Sequence, residues 1–303
     1  MQIKEFIDLG RHISINGHKV FVIDTDERNN KTKETFVIIN GFPTLTYDFR
    51  TIIKELSAHY RVVIHDHFGF GLSELPDTYC FSLLEQADVC IKVWNHLRLK
   101  EFTILGDNYG THVAKEILYR YNAKLLPFRI NKLILTKNSR KINHLNLLNI
   151  NKLLENPNLS KYREQLVEHH NKGLFDNFEM NQQRHDFQSQ KVQRIWEKFN
   201  ELQGQKEILV LSNFLEESYL YWHRWNRALK DSQIPVKIFW RRDDVGLKEI
   251  AIALASHQPK NVQFIENEKC FVIEENPTDW LKMVMKTVNK NFYNALKYKY
   301  QVI

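Results

Sequence analysis

The sequence predicts an α/β fold with a mostly parallel central sheet, helices on both of its faces and an inserted helical cap. Three observations carry this. Strand-length apolar runs alternate with helix-period segments from the start of the chain to about residue 137; that rhythm stops for about ninety residues; it then resumes and runs to the end. Alternation of strands with helices of this length implies parallel pairing and a helix-covered sheet.

The elements follow in order. Residues 3–10 and 18–26 read as an opening pair of strands, with Asn16-Gly17 as a hairpin signal. Residues 36–40, Phe-Val-Ile-Ile-Asn, form a continuous apolar run with β-branched residues, as expected of a strand buried on both faces. Residues 47–60 place Phe49, Ile52, Ile53 and Leu56 at helical spacing. Strands are expected at 61–66, 101–106 and 130–136, and helices at 82–97 and 111–126. Between about 138 and 230 the chain is rich in Asn, Gln, Lys and His, with helical periodicity, aromatic anchors at Trp196, Phe199, Trp222 and Trp225, and one strand-like run at 207–211. Strands at 235–240 and 261–266, a helix at 247–255 and a last helix from Pro277, with Asn276 as its cap, complete the pattern. The expected organisation is a core of residues 1–137 and 231–303 around a cap of 138–230.

Composition narrows the functional classes. With 303 residues, 43% hydrophobic and 26% charged, the chain has the make-up of a globular domain and excludes collagenous, disordered and disulfide-stapled classes. No run approaches the roughly 18 apolar residues of a membrane helix, and residues 1–15 lack the apolar stretch of a secretory signal. Three cysteines, Cys80, Cys90 and Cys270, are an odd number and point to free thiols in a reducing, cytoplasmic setting. The net charge of +7 is spread along the chain. Its densest part, Lys282, Lys286, Lys290, Lys297 and Lys299, reads as the solvated face of a terminal helix, so no nucleic-acid partner is expected.

Gly106-Asp107-Asn108-Tyr109-Gly110, set between a strand and a helix, has the form of a G-x-Nu-x-G nucleophile elbow. The turn is so tight that side chains at the flanking positions would strike backbone. Its central residue is raised at the strand end, where the helix N-terminus favours negative charge.

With this elbow the chain resembles the α/β-hydrolase family, in the branch of epoxide hydrolases, haloalkane dehalogenases and mesoderm-specific-transcript-like proteins. The matching segments are Asn40-Gly41-Phe42-Pro43-Thr44 with Tyr47-Asp48-Phe49-Arg50, Asp66-His67-Phe68-Gly69-Phe70-Gly71-Leu72-Ser73, the elbow, and Trp225, Ala228, Leu229 and Ile234-Pro235. The resemblance implies that fold and an Asp–His–acid triad, in which Asp attacks carbon and His activates water to cleave the resulting ester. Here the nucleophile position is Asn108, a neutral amide. The acid position matches Asp244, in Trp240-Arg241-Arg242-Asp243-Asp244, and the His position falls on Cys270. No histidine follows His257. The His preceding the oxyanion glycine is replaced by Asn40, while the backbone N–H groups of Phe42 and Tyr109 remain as expected oxyanion donors. Asp107 precedes the nucleophile position, where its side chain is expected to point elsewhere.

Each singled-out residue has a plainer reading. Asn108 reads as a hydrogen-bonding residue rather than a precursor of Asp, because a repaired Asp still lacks its His. Cys270 reads as a small buried filler, since a carboxylate neighbour raises a thiol's pKa. His169-His170, His185 and His223 lack ligand spacing, and no metal or cofactor is expected. His65 and His67 flank Asp66 at a strand end, with little weight as bases.

Two functions are consistent with this reading. In the first, a catalytically degenerate protein keeps the pocket between core and cap and binds a small apolar ligand or a protein, with homodimerisation open. In the second, an unusual enzyme hydrolyses epoxides, haloalkanes or esters, or acts as a lyase or isomerase without a covalent intermediate.

Overall fold

The computed structural model describes residues 3–26, 33–41, 46–76, 82–136, 217–218, 220–241, 262–267, 273 and 276–299. The chain divides into two compact units, one of residues 1–79, 83–140 and 221–303, the other of 80–82 and 141–220. In the second unit the Ser82 hydroxyl donates to Glu217 Oε1 at 2.5 Å. The strand-like run at 207–211 and the helix expected at 247–255 both lie outside the described residues.

The larger unit holds an eight-stranded sheet in the order β1-β2-β4-β3-β5-β6-β7-β8. Its strands are β1 (Gly10–Ile15), β2 (His18–Asp24), β3 (Thr35–Ile39), β4 (Arg61–His65), β5 (Glu101–Asp107), β6 (Arg129–Thr136), β7 (Val236–Arg241) and β8 (Val262–Asn267). Only β2 runs against its neighbours; the ladders from β4 to β8 are all parallel. The β1–β2 hairpin turns through Asn16 and Gly17, at φ 54° and 86°. Two consecutive residues in the left-handed region make the tight turn that Asn-Gly favours.

The opening segment departs from the expected strand. Residues Ile3–Asp8 form a short helix, α1, and the first strand begins only at Gly10. One buried residue in that turn, Phe6, anchors it, with its ring centroid 5.2 Å from Tyr47 and 6.1 Å from Phe21. Chain entry into β1 needs Gly10, whose absent side chain leaves room for the Phe21 ring.

Strand alternation divides the apolar side chains between two faces. Phe36, Ile38, Val62, Ile64, Leu105 and Ile134 belong to one buried cluster with α1, with α2 (Arg50–Ser57) and its leading turn Thr46–Phe49, and with α6 (Pro277–Val288) and α7 (Lys290–Lys299). The opposite face carries α3 (Leu83–His96) and α4 (Tyr109–Asn122), where Trp94 packs 5.0 Å from Phe102 between ring centroids. Pro277 occupies the first turn of α6 as expected, but Asn276 makes no side-chain cap bond. The expected single terminal helix is broken at Asn289. Its side chain donates to the Tyr60 hydroxyl at 2.7 Å and accepts from the Phe292 N–H at 3.0 Å, capping α7.

Helix α5 (Trp222–Lys230), which the sequence reading assigns to the cap, packs on α4 within the larger unit. Its anchor is Glu116, fully buried on α4. That carboxylate accepts from Arg120 Nε at 2.8 Å, Arg224 Nη2 at 2.6 Å and Trp225 Nε1 at 3.0 Å. A buried carboxylate holding two guanidinium groups and an indole is satisfied only as a set. Among the described residues no helix is long and apolar enough to cross a membrane.

Removing Glu116 therefore leaves two cations and an indole N–H without their shared acceptor. Glu116→Ala is expected to lower unfolding stability by about 3–5 kcal/mol. Glu116→Gln, which keeps the shape but not the charge, should lose less; urea denaturation of both variants checks this.

Candidate active site

Parallel strands deliver their carboxyl ends to one edge of the sheet, and the functional candidates collect there. Ile39 pairs with Gly106, so the end of β3, followed by Asn40, lies beside the end of β5. Arg241 and Asn267, the last residues of β7 and β8, pair with each other at the same edge. Phe42, Asp244 and Cys270 lie outside the described residues.

The elbow has the backbone that its sequence requires. Asn108 sits at φ 47° and ψ −107°, in a region that L-residues rarely occupy. It is the partly exposed residue in a buried run from Ile104 to Thr111. A side chain at Gly110 would fall onto the carbonyl oxygen of Ile39 and come within 2.7 Å of that of Asn40. One at Gly106 would come within 2.7 Å of the Gly110 carbonyl oxygen and 2.9 Å of Ala114 Cβ. Both glycines are thus fixed by packing of α4 onto β3 and β5. Three bonds hold the turn: Asn108 N–H to the Thr136 carbonyl at 2.8 Å, Thr111 N–H to the Asn108 carbonyl at 3.1 Å, and the Thr111 hydroxyl near the carbonyls of Gly106 (3.0 Å) and Thr136 (2.9 Å).

Asp107 does not share the exposure of Asn108. Its carboxyl is 1% exposed and lies 2.5 Å from the Thr136 hydroxyl. Burial pushes its pKa up to about 7, against the smaller lowering effect of the Thr136 bond. Tyr109 is the first residue of α4, where helix N–H groups lack an acceptor within the helix. Its ring is buried against Phe70 and His67, at centroid distances of 5.7 and 5.5 Å.

The segment from Asp66 to Ser73 forms the neighbouring wall. Asp66 is buried and its carboxylate accepts from the N–H groups of Thr46 and Leu72, each at 2.9 Å. The Ser73 hydroxyl donates to the Asp66 carbonyl at 2.6 Å and accepts from the Phe21 N–H at 2.9 Å. Gly71, at φ 51°, passes directly over the carboxylate, where any side chain would collide. Burial raises the Asp66 pKa to about 6 despite these donors. Asp66 is thus a brace for two loops. His65 and His67 are both fully buried, and burial lowers their pKa values, that of His67 to about 4. Neither ring is placed to take a proton from a substrate in solvent.

Of the residues the sequence singled out, the fold brings Asn40, Asp107, Asn108 and Tyr109 together. Thr111 and Thr136 join them, although the sequence reading does not single them out. The only local signal was a threonine at the third position of the helix after Asn108, suited to closing the turn; Thr136 comes from a distant strand. Chemically, the described site offers a strained neutral amide, a helix N-terminus and a buried carboxyl. That set hydrogen-bonds and orients; it contains no described nucleophile paired with a base.

The strain and the packing are separable. Asn108→Gly is expected to raise stability by about 1–2 kcal/mol by relieving the left-handed backbone. Gly110→Ala, which must push α4 off β3, should lower it by roughly 3 kcal/mol or more. Thermal and urea denaturation of the pair distinguishes the two. A second expectation concerns pH. Between the ordinary carboxylate value of 3.8 and about 7, the folded chain keeps a proton on Asp107 that the unfolded chain has released. Stability contributed by that proton falls as pH rises through this window and levels off above it. Asp107→Asn should flatten the slope there by up to ~1.4 kcal/mol per pH unit and favour the variant at alkaline pH. Denaturation from about pH 4 to about pH 8 measures it.

Comparison with known proteins agrees with this geometry. Residues 34–277 match the family model described as the alpha/beta hydrolase fold. The "Putative hydrolase LipZ" of Mycobacterium tuberculosis is 29% identical over 243 residues, covering 80% of this chain and 82% of that protein. The mouse mesoderm-specific transcript protein is 34% identical over 115 residues, 37% of this chain and 34% of its own length. Among solved structures, a haloalkane dehalogenase loop variant, DbeA-M1 from Bradyrhizobium elkanii, matches with a TM-score of 0.64 at 14% identity, over 96% of this chain and 98% of that one. The order β1-β2-β4-β3-β5-β6-β7-β8, the strained elbow at Asn108 and the family match over 34–277 together place this chain in the α/β-hydrolase family.

Proposed function

We propose that this chain is a catalytically degenerate α/β hydrolase that works as a binding protein in a reducing, cytoplasmic compartment. It takes a small apolar ligand or a protein partner at the carboxyl edge of its sheet. The observation that carries this is the amide at the elbow: Asn108 occupies the strained, partly exposed nucleophile position. An amide there donates and accepts hydrogen bonds but forms no ester with a substrate carbon. Cys270 at the family's His position removes the turnover step as well, while Asp244 retains the acid. The backbone N–H groups of Phe42 and Tyr109 then serve to orient a ligand's oxygen, with Asn40 and Asn108 beside them. The core and cap follow the expected boundaries, 1–137 with 231–303 and 138–230, except that α5 (Trp222–Lys230) belongs with the core. The buried free thiol of Cys90 suits a reducing compartment.

One observation favours a second reading, an active hydrolase or a triad-independent lyase or isomerase. The elbow keeps its unfavourable backbone, and such strain commonly persists where a site is used. Hydrolysis of epoxides, haloalkanes and p-nitrophenyl esters by the wild type and Asn108→Ala separates the two. We expect no turnover in either protein, and an intact mass without the roughly one-dalton gain that conversion of Asn108 to Asp would leave. Turnover that Asn108→Ala abolishes would overturn the degenerate reading.

A further inference from the structure

One cluster in the larger unit takes no part in the site's chemistry. His65, His67 and Cys90 lie together with ligand atoms all within 4.8 Å of one another, and among the described residues they are the one group of His, Cys, Asp and Glu so arranged. All three are fully buried. The convergence has a simple origin. His65 closes β4 and His67 follows two residues later, with the two ring centroids 5.4 Å apart. Helix α3 sets Cys90 against them, with Sγ 3.6 Å from His65 Nε2.

An apolar core has little reason to hold this set unaided. Neither ring nitrogen of His67, nor Nδ1 of His65, has a hydrogen-bond partner of good geometry. The Asn40 backbone and the Gln86 side chain lie near enough to His67 to favour its protonated form without closing such a bond. Burying a polar group without a partner costs about 1–3 kcal/mol. Gln86 sits one helical turn before Cys90 on α3. Its amide nitrogen donates to the Phe68 carbonyl at 3.2 Å, and its buried Oε1 lies near the His67 ring without a hydrogen bond of good geometry.

We propose that His65, His67 and Cys90 bind a structural Zn²⁺ ion, with Gln86 Oε1 at the fourth position. The donor chemistry fits: two imidazoles and one thiolate are the ligands of a borderline-soft cation, and hard cations such as Mg²⁺ and Ca²⁺ require oxygen shells. Distance fits as well. Zinc bonds of about 2.3 Å to sulfur and about 2.0 Å to nitrogen, at tetrahedral angles, separate the two atoms by about 3.5 Å, and the observed separation is 3.6 Å. On binding, the Cys90 thiol releases its proton to solvent as the sulfur–zinc bond forms, and both imidazoles bind neutral. The ion would tie α3 to the end of β4 directly behind Tyr109, the residue that follows Asn108, and so stiffen the wall behind the elbow. It is a closed site with no open position for a substrate, which distinguishes it from a catalytic metal centre.

The test uses full-length protein from cells grown in zinc-supplemented and in cobalt-supplemented medium, purified without chelator. Elemental analysis is expected to find about one metal ion per chain. The cobalt protein should show a near-ultraviolet thiolate-to-cobalt charge-transfer band with tetrahedral ligand-field absorption. The band should vanish in Cys90→Ala and persist in the Cys80→Ala, Cys270→Ala double variant, which separates this cluster from the other thiols. Wild-type protein with no stoichiometric metal and no thiolate band overturns the proposal, whether or not Cys90→Ala folds. So does a band that survives Cys90→Ala.

Discussion

Helix α4 begins so close to the carboxyl end of β3 that no side chain fits at Gly110, where the Ile39 and Asn40 carbonyls already occupy the space. That close approach governs the whole edge of the sheet. The chain must reverse from β5 into α4 within a few residues, and Asn108 absorbs the reversal with a left-handed backbone. Asn108 is the partly exposed point of an otherwise buried segment. Thr111 and Thr136 stabilise the bend by hydrogen bonds that close the turn from the helix side and from β6.

Around this elbow the interior is organised to stay neutral. Asp107, directly behind Asn108, holds its proton up to about pH 7 because burial outweighs the Thr136 bond. Asp66 is raised to about 6 even with two backbone donors on its carboxylate. Such groups brace loops and fill donor and acceptor requirements more readily than they supply charge to a reaction. A neutral amide at the nucleophile position belongs to the same arrangement. Glu116 is the contrasting case: buried on the far side of α4, it holds two arginines and an indole, and so fixes α5 against the core.

Parallel order and alternation were legible in the sequence because each strand between helices buries both faces, leaving unbroken apolar runs such as 36–39 and 62–64. The Asn16-Gly17 hairpin and the elbow were legible for a different reason: both need backbone conformations or close contacts that few residue types permit. The opening helix was not. Over residues 3–10 helix and strand periods are both satisfied, and the choice falls to Phe6, whose partners Tyr47 and Phe21 lie elsewhere in the chain. The attachment of α5 was hidden for the same reason, since its aromatic stripe says only that something is covered, and Glu116 of α4 says what.

The sequence alone determined the α/β class, the place of the elbow and the identity of the residue on it, because these depend on local periodicity, on glycine and on which atoms Asn108 carries. Only the tertiary structure decided that Asp107 is sealed against Thr136, that Asp66 braces two loops, and that His65 and His67 meet Cys90. Those facts depend on which strand and helix lie next to one another in three dimensions. His65 at the end of β4 and His67 just beyond it bring their rings close together, but only the crossing of α3 sets Cys90 against them.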